Sequence, residues 1–326
     1  MIRRKRLRMP MGCWLLMPEN NFLGIDTSNY TTSVALWTPK GLVSRRKLLP
    51  VKAGVCGLRQ SDAVFLHQKQ FPTLLEDLLL PSALTAVGVA ARPEDRDGSY
   101  MPCFTTGDSF ARVLALAFGC PLYSFSHQQG HVAAGVWSSG QDELTEQPFL
   151  AFHVSGGTTE LMYAKNLQNL TVIGRSLDIN AGQLIDRVGV RLGCSFPCGK
   201  QMDELAQNGR YSLRHKIYMR DGNCSFSGFE NQAQALLERG EAAETVAFFV
   251  ISAVGQALCS MLDTVLERYS GFPVLMVGGV CCNSLLRLLL TERYGAYFAA
   301  PEFSGDNAAG IAYLTKRRTE GKQEWR

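Results

Sequence analysis

Two histidines four residues apart are the feature of this sequence that most directly suggests chemistry. His127 and His131 enclose the segment His-Gln-Gln-Gly-His, in a chain of 326 residues with only five histidines. On a helix, residues i and i+4 lie on one face, so both imidazoles can reach one ion. The alternative interpretation is a pair of surface or capping histidines at a helix start. Gln128 stands where a zinc protease would carry its glutamate, which argues against proteolysis.

If the two histidines bind a metal, a third ligand must come from elsewhere in the chain. Asp306 is a candidate because it precedes a predicted helix, within Phe-Ser-Gly-Asp-Asn-Ala-Ala. Its alternative role is an ordinary N-cap, since aspartate is a preferred capping residue. Imidazoles combined with a carboxylate suit zinc or ferrous iron better than magnesium.

Two turns after predicted strands could bind an anion. In Val154–Thr158, paired glycines let the backbone approach a ligand and turn N–H groups towards it, although a plain hairpin turn has the same composition. Asp26, followed by Thr27 and Ser28, ends another predicted strand. This second turn could hold a hydrated metal or a phosphate, or it could be a simple Asx turn.

A third glycine motif lies at a predicted strand–helix junction, in Val277–Val280. Glycines there permit close contact with a nucleotide, and Asn283 on the following helix can donate and accept at a ribose or base edge. The alternative is tight packing of the strand against the helix.

The hydrophobic pattern predicts the elements that position these motifs. Each half of the chain begins with two strands joined by a motif-bearing turn: 22–26 and 32–37 in the first half, 149–154 and 160–163 in the second. Helices and strands alternate after each hairpin, and a polar, acidic stretch at 138–148 separates the halves. This repeated layout predicts an α/β protein of two similar lobes with a central cleft.

Composition restricts the class of protein and its location. The net charge is +4, but five basic residues precede residue 9, and the remainder holds 28 basic against 29 acidic residues. Composition therefore gives no indication that the body of the chain binds nucleic acid. No apolar run approaches the ~20 residues of a membrane helix, so we expect no membrane partner.

The cysteines and the start of the chain also indicate a cytoplasmic protein. Ten cysteines are scattered without a repeated CxxC pair, as expected of buried thiols in a reducing cytoplasm. Cys194 and Cys198 remain an alternative zinc pair. Pro10 and Pro18 interrupt the apolar run after the basic start, which favours a disordered tail or a mis-assigned start over a signal peptide.

Taken together and in this order, the motifs resemble the universal tRNA adenosine threonylcarbamoyltransferases, the TsaD or Gcp-like family, over about residues 22–315. The resemblance implies the two-lobed actin/Hsp70/sugar-kinase (ASKHA) fold. After a tail at 1–21, the lobes would be 22–137 and 148–326, with the last helix a candidate to return to the first lobe. The implied metal ligands are His127, His131 and Asp306.

The resemblance also implies an adenylate site and a reaction. The residues implied to bind threonylcarbamoyl-adenylate are His153, Val154, Ser155, Gly156, Gly157, Asp186, Gly199 and Asn283. The implied phosphate or adenylate loops contain Asp26, Thr27, Ser28, Gly278 and Gly279. With one divalent iron or zinc ion, the protein would transfer the threonylcarbamoyl group to the adenosine next to the tRNA anticodon. This acyl transfer needs positioning rather than a protein nucleophile.

The implied partners are tRNA and TsaB-like and TsaE-like proteins, or a paralogue of the same family. Because the body of the chain is near neutral, tRNA binding would need a basic partner or a local patch. Candidate patches are Arg287 with Arg293, and the Lys-Arg-Arg run at 316–318.

Several charged positions of the family pattern are replaced here, although all three implied metal ligands are kept. Where the family pattern has an acidic pair, this chain has Tyr30-Thr31, and where the pattern has His-Thr-Gln, residues 158–160 are Thr-Thr-Glu. Gln183 replaces a glutamate, and Glu230 lies where a lysine is expected. These changes indicate a divergent paralogue. An alternative hypothesis is therefore a non-catalytic, nucleotide- and metal-binding scaffold or regulator, and a kinase of the same fold is a third.

Overall fold

The first half of the chain forms a five-stranded sheet. The computed structural model describes residues 20–28, 30–50, 58–211, 216–305 and 308–321. Along the sheet the strand order is β3-β2-β1-β4-β5, with β1–β2–β3 antiparallel and β4 and β5 parallel to β1. The strands are β1 (Phe22–Asp26), β2 (Thr31–Thr38), β3 (Gly41–Leu48), β4 (Ala86–Arg92) and β5 (Leu122–Ser126). Helices α1 (Gln60–Leu78) and α2 (Phe104–Phe118) pack on this sheet.

The second half repeats this layout in a sheet of order β12-β11-β6-β7-β8. Its strands are β6 (Phe149–Val154), β7 (Thr159–Asn166), β8 (Asn169–Arg175), β11 (Val274–Val277) and β12 (Tyr297–Phe298). A small hairpin joins β9 (Met219–Arg220) to β10 (Asn223–Cys224). The helices are α4 (Ala181–Arg191), α5 (Gly199–Asn208), α6 (Ser227–Glu238), α7 (Ala243–Leu266) and α8 (Ser284–Tyr294).

Two helices lie where the halves meet. Helix α3 (His127–Ser138) contacts β4 and β5 of the first sheet and β6 and β11 of the second. Helix α9 (Ala308–Thr319), near the end of the chain, packs against α3 and against β1, β2 and β4. The division into lobes at 22–137 and 148–326 stays a prediction, and residues 1–19 of the predicted tail lie outside the described ranges.

The contact between α3 and α9 depends on glycine. A Cβ atom on Gly310 would overlap the carbonyl group of Gly130 in α3, and one on Gly24 in β1 would overlap the backbone of Ala308 and Ala312. The absence of side chains at these positions therefore lets α9 lie directly on both α3 and the first sheet.

Helix α7 corrects one expectation from the sequence. Among the described residues it is long and apolar enough to cross a membrane by length and composition, contrary to our expectation of no such run. Ser252 and Gln256 interrupt its apolar sequence, but the average hydropathy of the helix stays within the range of a membrane span. Most of this apolar window is buried inside the protein, against α4, α5, α6 and α8, so we assign α7 to the core of the second half.

The α3–α9 contact can be tested with Gly310→Ala. Because the added methyl group would meet rigid backbone, we expect the free energy of unfolding to fall by about 2–3 kcal/mol, the upper range for overpacking. The matched control is Gly228→Ala in α6, where a Cβ meets nothing within 4 Å. There, urea denaturation should show no loss, or a gain of up to about 1 kcal/mol. Equal stability of the two variants would contradict this packing.

Candidate metal and nucleotide site

The predicted histidine pair occupies the first turn of α3. Ser126 caps this helix: its Oγ accepts from the N–H of Gln129 (3.1 Å), and Gln129 Oε1 accepts from the N–H of Ser126 (2.7 Å). The capping box starts the helix at His127 and so places His131 one turn further on the same face. The two Nε2 atoms lie 2.9 Å apart. The prediction that both imidazoles share one face of a helix is therefore confirmed.

A buried carboxylate is bonded to the ring nitrogen of His127 that lies away from His131. Asp26 Oδ2 lies 2.7 Å from His127 Nδ1, and its Oδ1 accepts from the N–H of Ser28 at 2.8 Å. Because Asp26 is fully buried and accepts from Nδ1–H, it leaves the Nε2 lone pair of His127 facing His131. Asp26, in the turn predicted to hold a metal or a phosphate, is thus bonded to a histidine, and the phosphate role of residues 26–28 stays a prediction. Thr27 Oγ1 is likewise engaged, with Cys103 O and Gly107 N.

A third histidine from the second sheet completes this cluster. His153, on β6, has its ring centroid 4.1 Å from that of His131 and 6.3 Å from that of His127. It is only 3% exposed, and within the described part of the chain neither ring nitrogen has a hydrogen-bond partner. Burial, followed by the charge of His127, lowers the pKa of His153 to about 3. Burial also lowers the pKa of His131, so both rings are neutral, the form that binds metals.

The two imidazoles stand close enough to share an ion. Their Nε2 atoms are at the 2.9 Å distance of a hydrogen bond, whereas two tetrahedral ligands with nitrogen–metal bonds of about 2.1 Å lie about 3.4 Å apart, so a bound ion would replace this bond as the rings part by about 0.5 Å. As they stand, no three His, Cys, Asp or Glu side chains in the described ranges are arranged to hold an ion together. Asp306, the predicted third ligand, lies outside those ranges, so its role stays a prediction.

The glycine motifs of the second half lie against one another. The turn after β6 is closed by a hydrogen bond from Ser155 N to Thr158 O, and Gly156 packs on Gly182 at the start of α4. On the other side, Gly278 has φ +99°, and a Cβ there would overlap the backbone of Val154. The structure therefore brings the predicted turns at 154–158 and 277–280 together, and both the ligand interpretation and the packing interpretation fit this contact.

Two polar side chains near these turns keep capacity for a ligand. Asp186 in α4 accepts from the N–H of Cys198 through Oδ1 (2.8 Å), and burial raises the pKa of its carboxyl. Asn283 caps α8 by accepting from Leu286 N (3.0 Å), while its buried Nδ2 has no partner in the described residues. A Cβ atom on Gly199, at the start of α5, would meet nothing within 4 Å.

Sequence reasoning missed the role of Glu160 in this cluster. Glu160 lies opposite His153 in the β6–β7 register, accepts from Gln128 Nε2, and has Arg175 at 3.7 Å. Burial raises the pKa of its carboxyl. The available signal was the hairpin itself, because pairing Val154 with Thr159 places Glu160 beside His153.

Comparisons with known proteins agree on family and fold. The sequence model of TsaD, tRNA N6-adenosine threonylcarbamoyltransferase, matches residues 62–313. The enzyme of that name from Archaeoglobus fulgidus is 28% identical over 303 residues, 89% of each chain. Its counterpart from Fervidobacterium nodosum is 27% identical over 310 residues, which is 89% of this chain and 90% of that one.

Two solved structures show the fold alone. The activator of 2-hydroxyisocaproyl-CoA dehydratase from Clostridium difficile, with bound ADPNP, has a TM-score of 0.54 at 12% identity, over 93% of this chain and 97% of that one. Component A of (R)-2-hydroxyglutaryl-CoA dehydratase from Acidaminococcus fermentans has a TM-score of 0.57 at 14% identity, over 92% and 99%. These matches confirm the predicted two-lobed actin/Hsp70/sugar-kinase fold.

The histidine cluster makes the metal-free protein sensitive to acid. His153 takes up a proton only in the unfolded chain between about pH 6.5 and pH 3. The free energy of unfolding therefore falls as the pH falls through that range. At pH 5 the loss from this residue is about 2 kcal/mol. Urea denaturation with a chelator at pH 7.5 and pH 5 should therefore show a smaller acid loss in His153→Phe. The same loss in both proteins would show that His153 is not held neutral.

Proposed function

Because the chain belongs to the tRNA N6-adenosine threonylcarbamoyltransferase family, we propose that it transfers a threonylcarbamoyl group from threonylcarbamoyl-adenylate to the adenosine next to the tRNA anticodon. The observation that carries this proposal is the pair of Nε2 atoms of His127 and His131, 2.9 Å apart and backed by Asp26. An oriented imidazole pair, with His131 buried and His127 partly buried, suits a metal-dependent member of the family better than a scaffold without a metal.

The proposed metal ligands are His127, His131 and Asp306, and the ion is iron or zinc, as expected for imidazole with a carboxylate. When bound, the ion would supply a Lewis acid to the carbamoyl or phosphate oxygen. The protein's own contribution is to align both imidazoles. Burial lowers the pKa of His131 and so keeps that ring neutral, and Asp26 orients the ring of His127 by accepting from Nδ1–H.

The proposed adenylate site lies between the two glycine turns. The N–H groups of the Gly156–Gly157 turn would face the adenylate phosphate, and the Gly278–Gly279 junction would lie along the nucleoside. Asp186 can accept from ribose hydroxyls through Oδ2, and Asn283 can donate through its buried Nδ2, which has no partner in the described residues. Gly199 leaves room for the ligand beside these groups.

The residues act by positioning. The N6 amine of the tRNA adenosine attacks the carbamoyl carbon, the bond between that carbon and the phosphate oxygen breaks, AMP leaves, and the amine loses a proton. No covalent protein intermediate is required, so the rate depends on how the cleft aligns the two substrates and excludes water.

A non-catalytic scaffold or regulator is the second candidate, favoured by the replaced residues. Gln183 accepts from the N–H of Asn180 (2.9 Å), and Thr159 Oγ1 accepts from Ala181 N (2.9 Å). Glu230 pairs with Arg187 and Arg191 at 3.0 and 2.9 Å. These substituted positions therefore have structural partners of their own, as expected where a charged ligand contact has been lost.

The proposed partners are tRNA and TsaB-like and TsaE-like proteins, or a family paralogue, in the cytoplasm. Both basic patches suggested by the sequence contain an arginine that is engaged within the protein. Arg293 is bonded to Asp263 at 2.6 Å, and Arg317 is only 4% exposed, with Nη1 at 3.1 Å from the hydroxyl of Tyr313. Lys316 and Arg318 of the predicted run stay at least partly exposed, and tRNA contacts supplied by a partner remain our proposal because the body of the chain is near neutral.

The transferase proposal is tested by metal analysis and by transfer from the acyl-adenylate in the presence of the partner proteins. Purified protein should contain about one iron or zinc ion, and His127→Ala should lose both the ion and detectable transfer, since only two of the three proposed protein ligands would remain. Lys165→Ala, an exposed change on β7, is the control and should keep both. Metal-free wild-type protein, or full transfer by His127→Ala, would contradict the proposal.

Complementation separates transferase from scaffold. In cells depleted of their ordinary transferase, rescue by this chain would exclude the scaffold hypothesis. Failure to rescue, by a protein that still binds metal and nucleotide, would favour it.

The nucleotide site is tested by Asp186→Asn. The amide keeps one acceptor but loses the charge and the second carboxylate oxygen, so calorimetric titration should show about 10-fold weaker binding of AMP, the cost of one charge-assisted hydrogen bond. The backbone contact with Cys198 should survive, and thermal stability with it. An unchanged AMP affinity would remove Asp186 from the site.

A further inference from the structure

We propose that the edge strand β3, with the turn before it, is the surface by which this chain contacts the phosphate backbone of an RNA substrate. The inference rests on the proposed transferase function and names the part of the chain that receives the tRNA. It uses none of the basic residues singled out from the sequence. The strand supplies this chain's own share of the RNA contacts, beside those proposed for partner proteins.

The charge of the chain is unevenly distributed, although the total outside the first eight residues is near neutral. Between Asp26 and Asp62 the sequence contains six basic residues and no acidic one. Four of the six lie on β3 or in the turn before it, and all four are exposed: Lys40, Arg45, Arg46 and Lys47. A cluster of exposed charges of one sign on a single element is typical of a surface that binds nucleic acid.

The positive charges of this strand are not neutralised inside the protein. Arg45 donates to the carbonyl of Ser44 at 2.9 Å, and Arg46 donates to the carbonyl of Glu302 at 3.4 Å. Among the described residues, none of the four basic side chains forms an ion pair with a carboxylate. Arginine and lysine side chains without a carboxylate partner remain available to phosphate oxygens.

Charged side chains on β3 have an alternative role, because β3 is the outer strand of its sheet. Charges on an edge strand discourage pairing with a second sheet. Either sign would serve that role, so it does not explain why every charge here is positive. With a rise of about 3.4 Å per residue, Arg45, Arg46 and Lys47 carry three charges over about 7 Å. That density is close to the one phosphate per about 3.4 Å of a nucleic-acid strand.

Strand pairing places this surface beside the histidine pair. Asp26 on β1 lies opposite Ser33 on β2, and Ser33 lies opposite Arg46 on β3, so the three residues form one row across the sheet. Neighbouring strands are about 4.8 Å apart, so Arg46 lies about 10 Å from Asp26, measured between backbones. Asp26 in turn is bonded to His127. RNA bound along β3 would therefore reach the same end of the sheet as the proposed site, which favours RNA over an anionic lipid surface.

A cavity of about 310 Å³ extends this surface towards the start of α9. Ser33, Ser44, Arg45 and Arg46 line it on the side of the sheet, and Glu302 lies on the opposite side. Hydroxyl and guanidinium groups are the donors that proteins use for phosphate and sugar oxygens, whatever the base sequence. The cavity therefore provides room for a segment of RNA backbone between β3 and α9.

The test measures binding of full-length protein to a fluorescent, unmodified tRNA transcript with adenosine next to its anticodon, over 50–300 mM salt. The variant replaces Arg45, Arg46 and Lys47 with glutamine, which removes the charge but keeps a long polar side chain. The slope of log affinity against log salt should fall by about 2–3, since each phosphate contact contributes about 0.7–0.9. Affinity near 100 mM salt should fall at least about 10-fold.

The control variant removes the same net charge from the second half of the chain. It replaces three basic residues with glutamine, each exposed and without a carboxylate partner in the described residues: Lys165, Lys216 and Arg239. Near 100 mM salt, charges more than about 10 Å from the RNA are largely screened, so this variant should keep the wild-type affinity and slope. An equal loss in both variants would show that net charge alone attracts RNA, and would overturn the inference.

The outcomes separate this inference from the proposed function. Wild-type protein without affinity for the transcript, or a β3 variant with unchanged affinity, overturns the inference, while metal content and transfer assayed with partner proteins still decide the transferase proposal. Unchanged RNA affinity combined with lost binding to vesicles of anionic phospholipid would assign β3 to a membrane instead. Cross-linking of wild-type protein to a 4-thiouridine transcript gives an answer even if the variant does not fold. Cross-links to residues 40–47 support the inference, and cross-links confined to other segments contradict it.

Discussion

The bond between the buried carboxylate of Asp26 and Nδ1 of His127 is the interaction on which the rest of the site depends. It links the end of β1 to the first turn of α3 across 101 positions of sequence. It also decides which nitrogen of His127 is available, because a proton held on Nδ1 leaves the Nε2 lone pair facing His131. The carboxylate of Asp26 thus fixes the orientation of the His127 ring relative to His131.

The surrounding packing keeps the histidine pair at the junction of the two halves. Glycines at positions 24 and 310 let α9 lie on β1 and on α3 with no intervening side chains. On its other side, α3 contacts β6 and β11, which bring His153 to the histidine pair. The proposed metal would therefore sit at the junction of the two halves, on the helix that contacts both sheets.

Local signals in the sequence were sufficient for some of these features. The spacing of His127 and His131, with Ser126 before them, predicted one helical face, and the repeated strand–turn–strand layout predicted two lobes. The partner of Asp26 could not be predicted, because it depends on the pairing of distant segments. The same holds for the unpartnered nitrogens of His153 and for Arg317, whose burial removes it from the predicted basic patch. Length and average hydropathy would have identified α7 as a long apolar helix. A search for an uninterrupted apolar run missed it because polar residues interrupt its sequence.

The proposed site requires that Nε2 of His127 and Nε2 of His131 bind the same metal ion. A crystal structure of the metal-loaded protein, with anomalous scattering recorded at the absorption edge of that metal, tests this most directly. We predict a single strong anomalous peak at about 2.0–2.2 Å from both Nε2 atoms, with Asp26 still bonded to Nδ1 of His127. A peak elsewhere in the protein, or none between these two histidines, would contradict the claim.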